Sequence, residues 1–462
     1  MMEPMTRRLR ALSTALGMLL VASACATQKD NGIIVASNGD MRGYAQQATQ
    51  AQLVNLALRK LEASYYKPID PQTPIKGEEA ALAAYLKTKH IANVTFPNET
   101  ATGDTQSDGD QLVEVLAYTQ DHYGSRLGSQ GSSDLTDAAL RGILHSVNDP
   151  YTVYLSPKEI QGLQESLSGG NFGGIGVYIY QLKDGQVVVQ PITGMPAARA
   201  GIKPGEVVDT VGGKTTKGLT LDRVEQLIRG PEGTRVTLDT HIYKKTAEHH
   251  YAITRAIIHV PTVLSKMEDG YMYIRLSDFG TTSAEEVKTA LLSGKANHAK
   301  GYILDLRDNG GGLVDAAVKI SSYFVPHGTI VATIDRAGNR DEQDALGTDI
   351  DGLSPLVILV NKYTASASEI TSGALQDYHL ATLIGTRTFG KGVVQSIYSM
   401  PDLGALKITT ARYVTPLGRD IQHKGILPDI VIDQSLDPGL IDTPADKQLA
   451  AAKAQLRKQL RS

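Results

Sequence analysis

A serine and a lysine stand 25 residues apart in surroundings that would let them react together. Ser366 lies in Thr364-Ala-Ser-Ala-Ser-Glu369, at the expected start of a helix. Lys391 lies in Thr388-Phe-Gly-Lys-Gly-Val-Val-Gln395, leading into an expected strand. The interval suffices for one helix, one strand and a loop that returns to the helix start. A serine hydroxyl is a poor nucleophile until a base takes its proton, and a neutral lysine amine is one base that serves. Neutrality at working pH requires burial or a cationic neighbour. Phe389, Val393 and Val394 are the apolar candidates to surround Lys391, and Gln395 could hold the amine through its amide without adding charge. The pair predicts acyl-transfer chemistry and, first of all, a serine peptidase.

Each of these residues also has a plainer reading. Gly-Lys-Gly is what a solvated surface turn looks like, and a serine at a helix start is most often an N-cap. Ser368 is either a small packing residue or a rival nucleophile, and spacing does not separate it from Ser366. Glu369 in the first turn suits the helix dipole and need do nothing else. His379 and His423 are competing bases, although nothing in their local sequence recommends them over Lys391. An oxyanion hole needs backbone donors, for which the N–H of Ala367 and the Gly310-Gly311-Gly312 loop are candidates. The same glycines would serve a tight strand–helix turn. A phosphate cradle is disfavoured because no Gly-Lys-Ser/Thr sequence is present. No metal-ligand spacing is evident, and no cofactor is expected.

The elements that must position these residues are legible as texture. Residues 45–64 read as an amphipathic helix with Leu53, Leu56, Leu58 and Leu61 on one face. Residues 93–111, rich in Thr, Asn, Asp and Gly, read as a flexible insertion. Helices are expected near 112–122 and 135–147, the latter capped by Asp134 or Thr136. Over 173–245 short strands at 176–180, 187–190, 206–211 and 234–241 surround a helix at 221–229, capped by Thr220; this is a small β-rich module. From Tyr271 onward strand and helix alternate, with buried strands at 302–306 and 356–360 and a helix at 314–324. A last amphipathic helix is expected near 445–460. A chain of 462 residues allows two or three domains, and its net charge of −3 gives no reason to expect nucleic acid.

The N-terminus has its own pattern. Arg7, Arg8 and Arg10 precede an apolar stretch over 11–24, too short for a comfortable span, and Ala22-Ser23-Ala24 fits a cleavage site. The sole cysteine, Cys25, follows directly, as in a bacterial lipoprotein signal whose thiol is lipidated. Plain secretion with Cys25 a bystander, or an uncleaved anchor, are the alternatives. All three place the body outside the cytoplasm.

The chain resembles the carboxyl-terminal processing, or tail-specific, serine proteases. The matching pieces are Asp149-Pro-Tyr151, Gly173-Gly-Ile-Gly-Val177, Ala200-Gly-Ile-Lys-Pro-Gly205, Ile228-Arg-Gly-Pro-Glu-Gly233, Leu304-Asp-Leu-Arg-Asp-Asn-Gly-Gly-Gly312, the Ser366 and Lys391 segments, Tyr413-Val-Thr-Pro-Leu-Gly-Arg419 and Gly425-Ile-Leu-Pro-Asp429. The resemblance implies an α/β, crotonase-like protease core of mixed sheet with covering helices, plus a small β-rich PDZ domain and N-terminal helices. It implies a signal peptide over 1–24, a helical region over 25–150, the PDZ domain over 165–250, the protease core over 255–435 and a helical tail over 436–462. It assigns Ser366 as nucleophile, Lys391 as general base, Gln395 as its orienting partner, and Gly312 and Ala367 as oxyanion-hole amides. In the PDZ domain, Gly174, Ile175 and Gly176 would meet a substrate's terminal carboxylate. Ile175, Val177 and Leu227 would line a pocket for its last side chain. Arg229 is similar to a position that helps hold an active arrangement; a surface salt bridge is the alternative.

The implied activity is a serine-type endopeptidase in the periplasm or cell envelope. Its partners would be protein substrates with free apolar C-termini, cell-wall hydrolases among them. An adaptor protein, a homo-oligomer and a membrane contact through lipidated Cys25 are the further partners. Two rivals stand against it. One is a non-catalytic or adaptor-dependent PDZ scaffold on a protease fold. The other is a related α/β enzyme acting on thioesters, which would need neither a PDZ module nor a secretion signal.

Overall fold

The computed structural model describes residues 33–35, 50–167, 172–182, 184–243, 245, 248–258, 261–353, 355–400, 403–434 and 441–461. The expected signal segment and Cys25 lie outside them. No helix among the described residues is long and apolar enough to cross a membrane.

Apolar residues three and four apart build the N-terminal bundle. In Gln50–Ser64, the buried Leu53, Val54, Ala57, Leu58 and Leu61 form one stripe. That stripe packs with Leu82, Leu86, Leu112, Leu116 and Leu140 from Gln72–Thr88, Thr105–Tyr123 and Gly131–His145. The bundle rests on Tyr154, Met400, Leu406 and Ile408, so it shares a core with strands Val153–Leu155, Val393–Met400 and Gly404–Val414.

Two expectations are corrected here. Residues 93–111 are not one loop, because helix begins at Thr105. Asp104 caps it by accepting the Ser107 N–H at 2.8 Å, and Asp108 reaches back to the N–H groups of Thr102 and Gly103. Gly109 looked like a loop residue but is a packing residue, since a Cβ there would lie 2.6 Å from the Asn55 amide. Gly131–His145 starts earlier than expected and has no side-chain cap. Asp134 instead accepts the Tyr85 hydroxyl at 2.7 Å, and Thr136 bonds the Ser132 carbonyl. Helix Gln72–Thr88 was not foreseen at all.

The middle of the chain forms a five-strand sheet with one side strand and its own core. Val177–Gln181 is at one end of the strand order, followed by Val187–Pro191, Glu206–Val211, Arg235–Ile242 and Glu248–Thr254. Helix Leu221–Ile228, capped by Thr220, covers it through Val224 and Ile228.

The C-terminal core is a mixed six-stranded sheet covered by helices, as the family resemblance implies. Its order is Val263–Glu268, Tyr271–Leu276, Tyr302–Asp305, Leu356–Val360, Thr382–Gly385 and Ile430–Val431; only the first pair is antiparallel. Its central strands are buried on both faces, which is why they read as unbroken apolar runs. Alternate residues face opposite layers. Leu304 and Ile358 meet helices Ser283–Ala296, Val314–Ser322 and Ala367–Asp377. Ile303, Val357 and Leu359 meet Leu449, Ala452 and Leu456 of Lys447–Gln459. A second sheet contains the long pair Val393–Met400 and Gly404–Val414, and the latter also pairs with Thr329–Ile334 and Val153–Leu155.

Candidate active site

Two loops leave the carboxyl ends of neighbouring parallel strands and converge. This is where open α/β sheets place their ligands. The first runs from Tyr302–Asp305 to Gly312, and the second from Leu356–Val360 to Ser366. Asn309 stitches them together: its carbonyl accepts the Ala365 N–H at 3.0 Å and the Ser368 hydroxyl at 3.1 Å. Its side chain accepts the Gly311 N–H and donates to the Leu276 carbonyl.

Ser366 is the residue before helix Ala367–Asp377, with φ 56° and ψ −117°. A side chain rarely adopts that backbone, and it costs about 1–3 kcal/mol. Ser366 is half-buried, whereas Ser368 is fully buried with its hydroxyl committed to Asn309. The two serines that spacing left open are thus in different environments. Gly311 backs directly onto the Ser366 turn at φ 101°. A Cβ there would sit 2.8 Å from Ser366 Cβ and 2.7 Å from the Ala365 carbonyl. Gly311→Ala should therefore lower stability by roughly 3 kcal/mol or more. It should also abolish turnover; the urea midpoint and casein digestion measure the two effects.

Gly312 (φ 140°) bridges Phe279. The Phe279 N–H meets the Gly311 carbonyl, and the Leu313 N–H meets the Phe279 carbonyl. Those bonds use the groups on either side of Gly312 and leave its own N–H for another acceptor. The Ala367 N–H starts a helix, where the first amides have no intrahelical partner.

Glu369 holds the arrangement together. It is fully buried, and its carboxylate accepts four donors. Oε2 takes the N–H groups of Ser366 (3.0 Å) and Lys391 (2.9 Å). Oε1 takes the Gly390 N–H (2.8 Å) and the Thr388 hydroxyl (2.5 Å). Burial pushes its pKa up and the four donors pull it back. Tyr413 adds a second clip, its hydroxyl lying 3.1 Å from the Ser366 carbonyl oxygen and 2.6 Å from that of Lys391.

The Lys391 amine lies 4.7 Å above the Tyr151 ring centre. Burial, and then the charge of Lys407, lower its pKa to about 8 against the opposing pull of Asp149 and Glu369. Phe389 does not provide that burial, being 54% exposed, whereas Val393 and Val394 are buried. No hydrogen bond joins Lys391 to Ser366 Oγ or to Gln395 among the described residues. Gln395 is buried, and its amide nitrogen reaches Thr409 Oγ1 at 3.5 Å. His379 and His423 are exposed, and His423 pairs its ring with Gln422.

These positions can be compared with known proteins. A model of peptidase family S41 matches residues 270–432, and a PDZ-domain model matches residues 187–240. A carboxyl-terminal-processing protease of Synechocystis sp. is 37% identical over 324 residues, covering 69% of this chain and 76% of that protein. The chain belongs to peptidase family S41. Like the carboxyl-terminal-processing proteases of that family, it is a serine-type peptidase. A probable CtpA-like serine protease of Staphylococcus aureus is 36% identical over 343 residues, covering 73% of this chain and 68% of that protein. The solved photosystem II D1 C-terminal processing protease is 28% identical, covers 88% of this chain and 98% of its own, and superposes with a TM-score of 0.47.

Within the PDZ domain of this S41 chain, Gly174 pairs with Ala256, and Ile175 is buried in the core. Gly176 has φ 74°, and its carbonyl accepts the Ile192 N–H. Val177, on the end strand, and Leu227, on the helix, are half-buried against that core. Arg229 is engaged inside the same domain, with Glu225 at 2.5 Å and the Phe172 ring centre at 3.7 Å.

Sequence reading did not foresee that Glu369 and Tyr413 would bind the backbones of Ser366 and Lys391, or that the Lys391 amine would lie on the Tyr151 ring. Only one signal was available beforehand. Glu369 stands three residues after a helix-start serine, which is the spacing of a capping box.

Proposed function

We propose that this chain is an extracytoplasmic endopeptidase that holds substrate C-termini in its PDZ domain and cleaves through Ser366 and Lys391. The observation that carries the reading is the shared tether: Glu369 and Tyr413 bind the backbones of both residues at once. Ser366 Oγ attacks the scissile carbonyl as neutral Lys391 takes its proton. The tetrahedral oxyanion is met by the N–H groups of Gly312 and Ala367. Collapse breaks the C–N bond, Lys391 returns the proton to the leaving amine, and water then hydrolyses the acyl-enzyme with Lys391 again as base. The closing movement is a rotation of Lys391 from Tyr151 toward Ser366, with Gln395 its amide partner there. Catalytic hydrogen bonds commonly tighten only in the substrate complex.

Substrate capture uses the side of Val177–Gln181 that has no partner strand among the described residues, where an extended peptide adds as a strand. Amides around Gly174–Gly176 meet the terminal carboxylate, and Val177 and Leu227 meet an apolar last residue. Leu227→Glu should weaken binding of a peptide ending in an apolar residue by at least ~10-fold. Calorimetric titration reads this, and unchanged affinity removes the groove assignment. The N-terminal pattern of arginines, apolar stretch and small residues before Cys25 supports the location.

The direct test is digestion of unfolded β-casein by protein recovered from the envelope fraction, beside Ser366→Ala and Lys391→Ala. Loss in both variants is expected. Survival in both overturns the pair and returns attention to Ser368 and the histidines. Recovery of full-length protein only from the cytoplasm overturns the location.

A further inference from the structure

A second lysine shares the sheet face that leads to the base. Lys407 lies in Gly404–Val414, paired with Ile397 on one side and Val153 on the other. One strand step away, Thr409 pairs with Gln395. Residues two apart on a strand share a face, so Gln395, Ile397, Lys407 and Thr409 lie on one side of this sheet. Tyr398, Met400, Leu406 and Ile408 lie on the other and pack into the helical bundle. Ile397 and Ala405 make the Lys407 surroundings apolar, together with Leu155, Ile160 and Leu163. The ammonium of Lys407 makes no hydrogen bond or ion pair among the described residues.

Asp149 is placed to oppose it. This buried carboxylate accepts the Tyr151 N–H at 3.0 Å and the Thr152 hydroxyl at 2.7 Å. Thr152 Oγ1 in turn accepts the Thr409 N–H at 3.1 Å, which fastens the Asp149 turn to the strand carrying Lys407. The same turn supplies Tyr151, on whose ring the Lys391 amine rests. The charged and titratable groups around Lys391 are therefore Lys407 on the long strand, Asp149 and Tyr151 on the turn, and Glu369 on the nucleophile helix. Tyr65 faces Asp149 from just past the end of helix Gln50–Ser64.

We propose that Lys407 is a positioning residue for catalysis: its half-buried ammonium, balanced by Asp149, disfavours a second positive charge on the Lys391 amine and so favours its neutral form. A fixed positive charge in a poorly solvated site disfavours a second one nearby. The field at both lysines agrees with this. Lys407 is the largest cationic influence on Lys391, and Asp149 acts on both in the opposite direction. The idea rests on Lys391 being the base, and goes beyond it by naming what tunes that base.

The experiment is the pH profile of kcat/KM for casein cleavage in Lys407→Met, Lys407→Arg and Asp149→Asn, beside Lys391→Ala. Lys407→Met should move the ascending limb up by at least ~0.5 pH unit, lowering activity at pH 7 about threefold or more while largely sparing the plateau. Lys407→Arg retains the charge and should keep the wild-type limb. Asp149→Asn should move the limb down. A Lys407→Met enzyme that is uniformly slower with an unmoved limb overturns the proposal and leaves Lys407 a packing residue. If Lys407→Met does not fold, an unmoved limb in Asp149→Asn overturns it instead. An active Lys391→Ala is a different failure, that of the base assignment itself.

Discussion

Replacing Lys391 by alanine is expected to lower kcat/KM at least ~10³-fold, with substrate binding at the PDZ groove unchanged. The expected loss is that of the proposed base, because Ser366 retains its backbone tethers to Glu369 and Tyr413. Lys391→Arg should be equally inactive, since a guanidinium keeps its proton at any working pH. The wild-type profile follows from the sign of the shift. An ordinary lysine titrates near 10.4, and here burial and Lys407 bring the value down to about 8. The reactive form is the neutral amine, so activity rises as pH climbs through about 8 and levels above it. At pH 7 roughly a tenth of Lys391 is neutral, against about four parts in ten thousand for an unperturbed lysine. A pH profile of kcat/KM checks this. A limb still rising beyond about pH 9.5 would falsify the depressed base.

The second large effect is expected at Glu369, a residue that touches no substrate. Its two oxygens receive four donors, two from the loop of Lys391, one from Ser366 and one from Thr388. Glu369→Gln is not a mild change. One oxygen becomes an NH₂ group that faces two buried donors, so acceptors are lost and a donor is added against donors. Bonds to a charged acceptor contribute about 1.5–3 kcal/mol each, and unpaired buried donors carry a further penalty. The variant should lose roughly 3 kcal/mol or more of stability and at least ~100-fold in kcat. Chemical denaturation and single-turnover cleavage measure these separately. Full kcat with only a shifted denaturation midpoint would reduce Glu369 to a fold-stabilising role.

Much of this arrangement was legible in the sequence. Local rules placed Leu356–Val360 and Glu206–Val211 correctly to the residue, because unbroken apolar or alternating runs bounded by Gly and Pro leave few choices. The start of Ala367–Asp377 and the cap at Thr220 were equally local. The region 65–131 was not, since Gly109 and the Asp-rich stretch resemble a loop until a neighbouring helix is present to require them. Gln72–Thr88 is stabilised mainly by burial of Leu82 and Leu86 against other helices, and local pattern does not report that.

At the site itself, the sequence by itself determined the chemistry on offer: a serine at a helix start, a lysine after a Gly-rich turn, and glycines able to present bare amides. Those are properties of residue types and short-range spacing, and they also sufficed to recognise the family. Tertiary structure alone decided which serine is accessible, since Ser368 is distinguished from Ser366 only by the loop of Asn309 that buries it. It also decided what neighbours the base. Lys391 is set among Tyr151, Asp149, Glu369 and Lys407, which come from three distant stretches of chain. A pKa depends on distances and solvent exclusion, and both arise only when the two sheets, the helix and the turn have packed together.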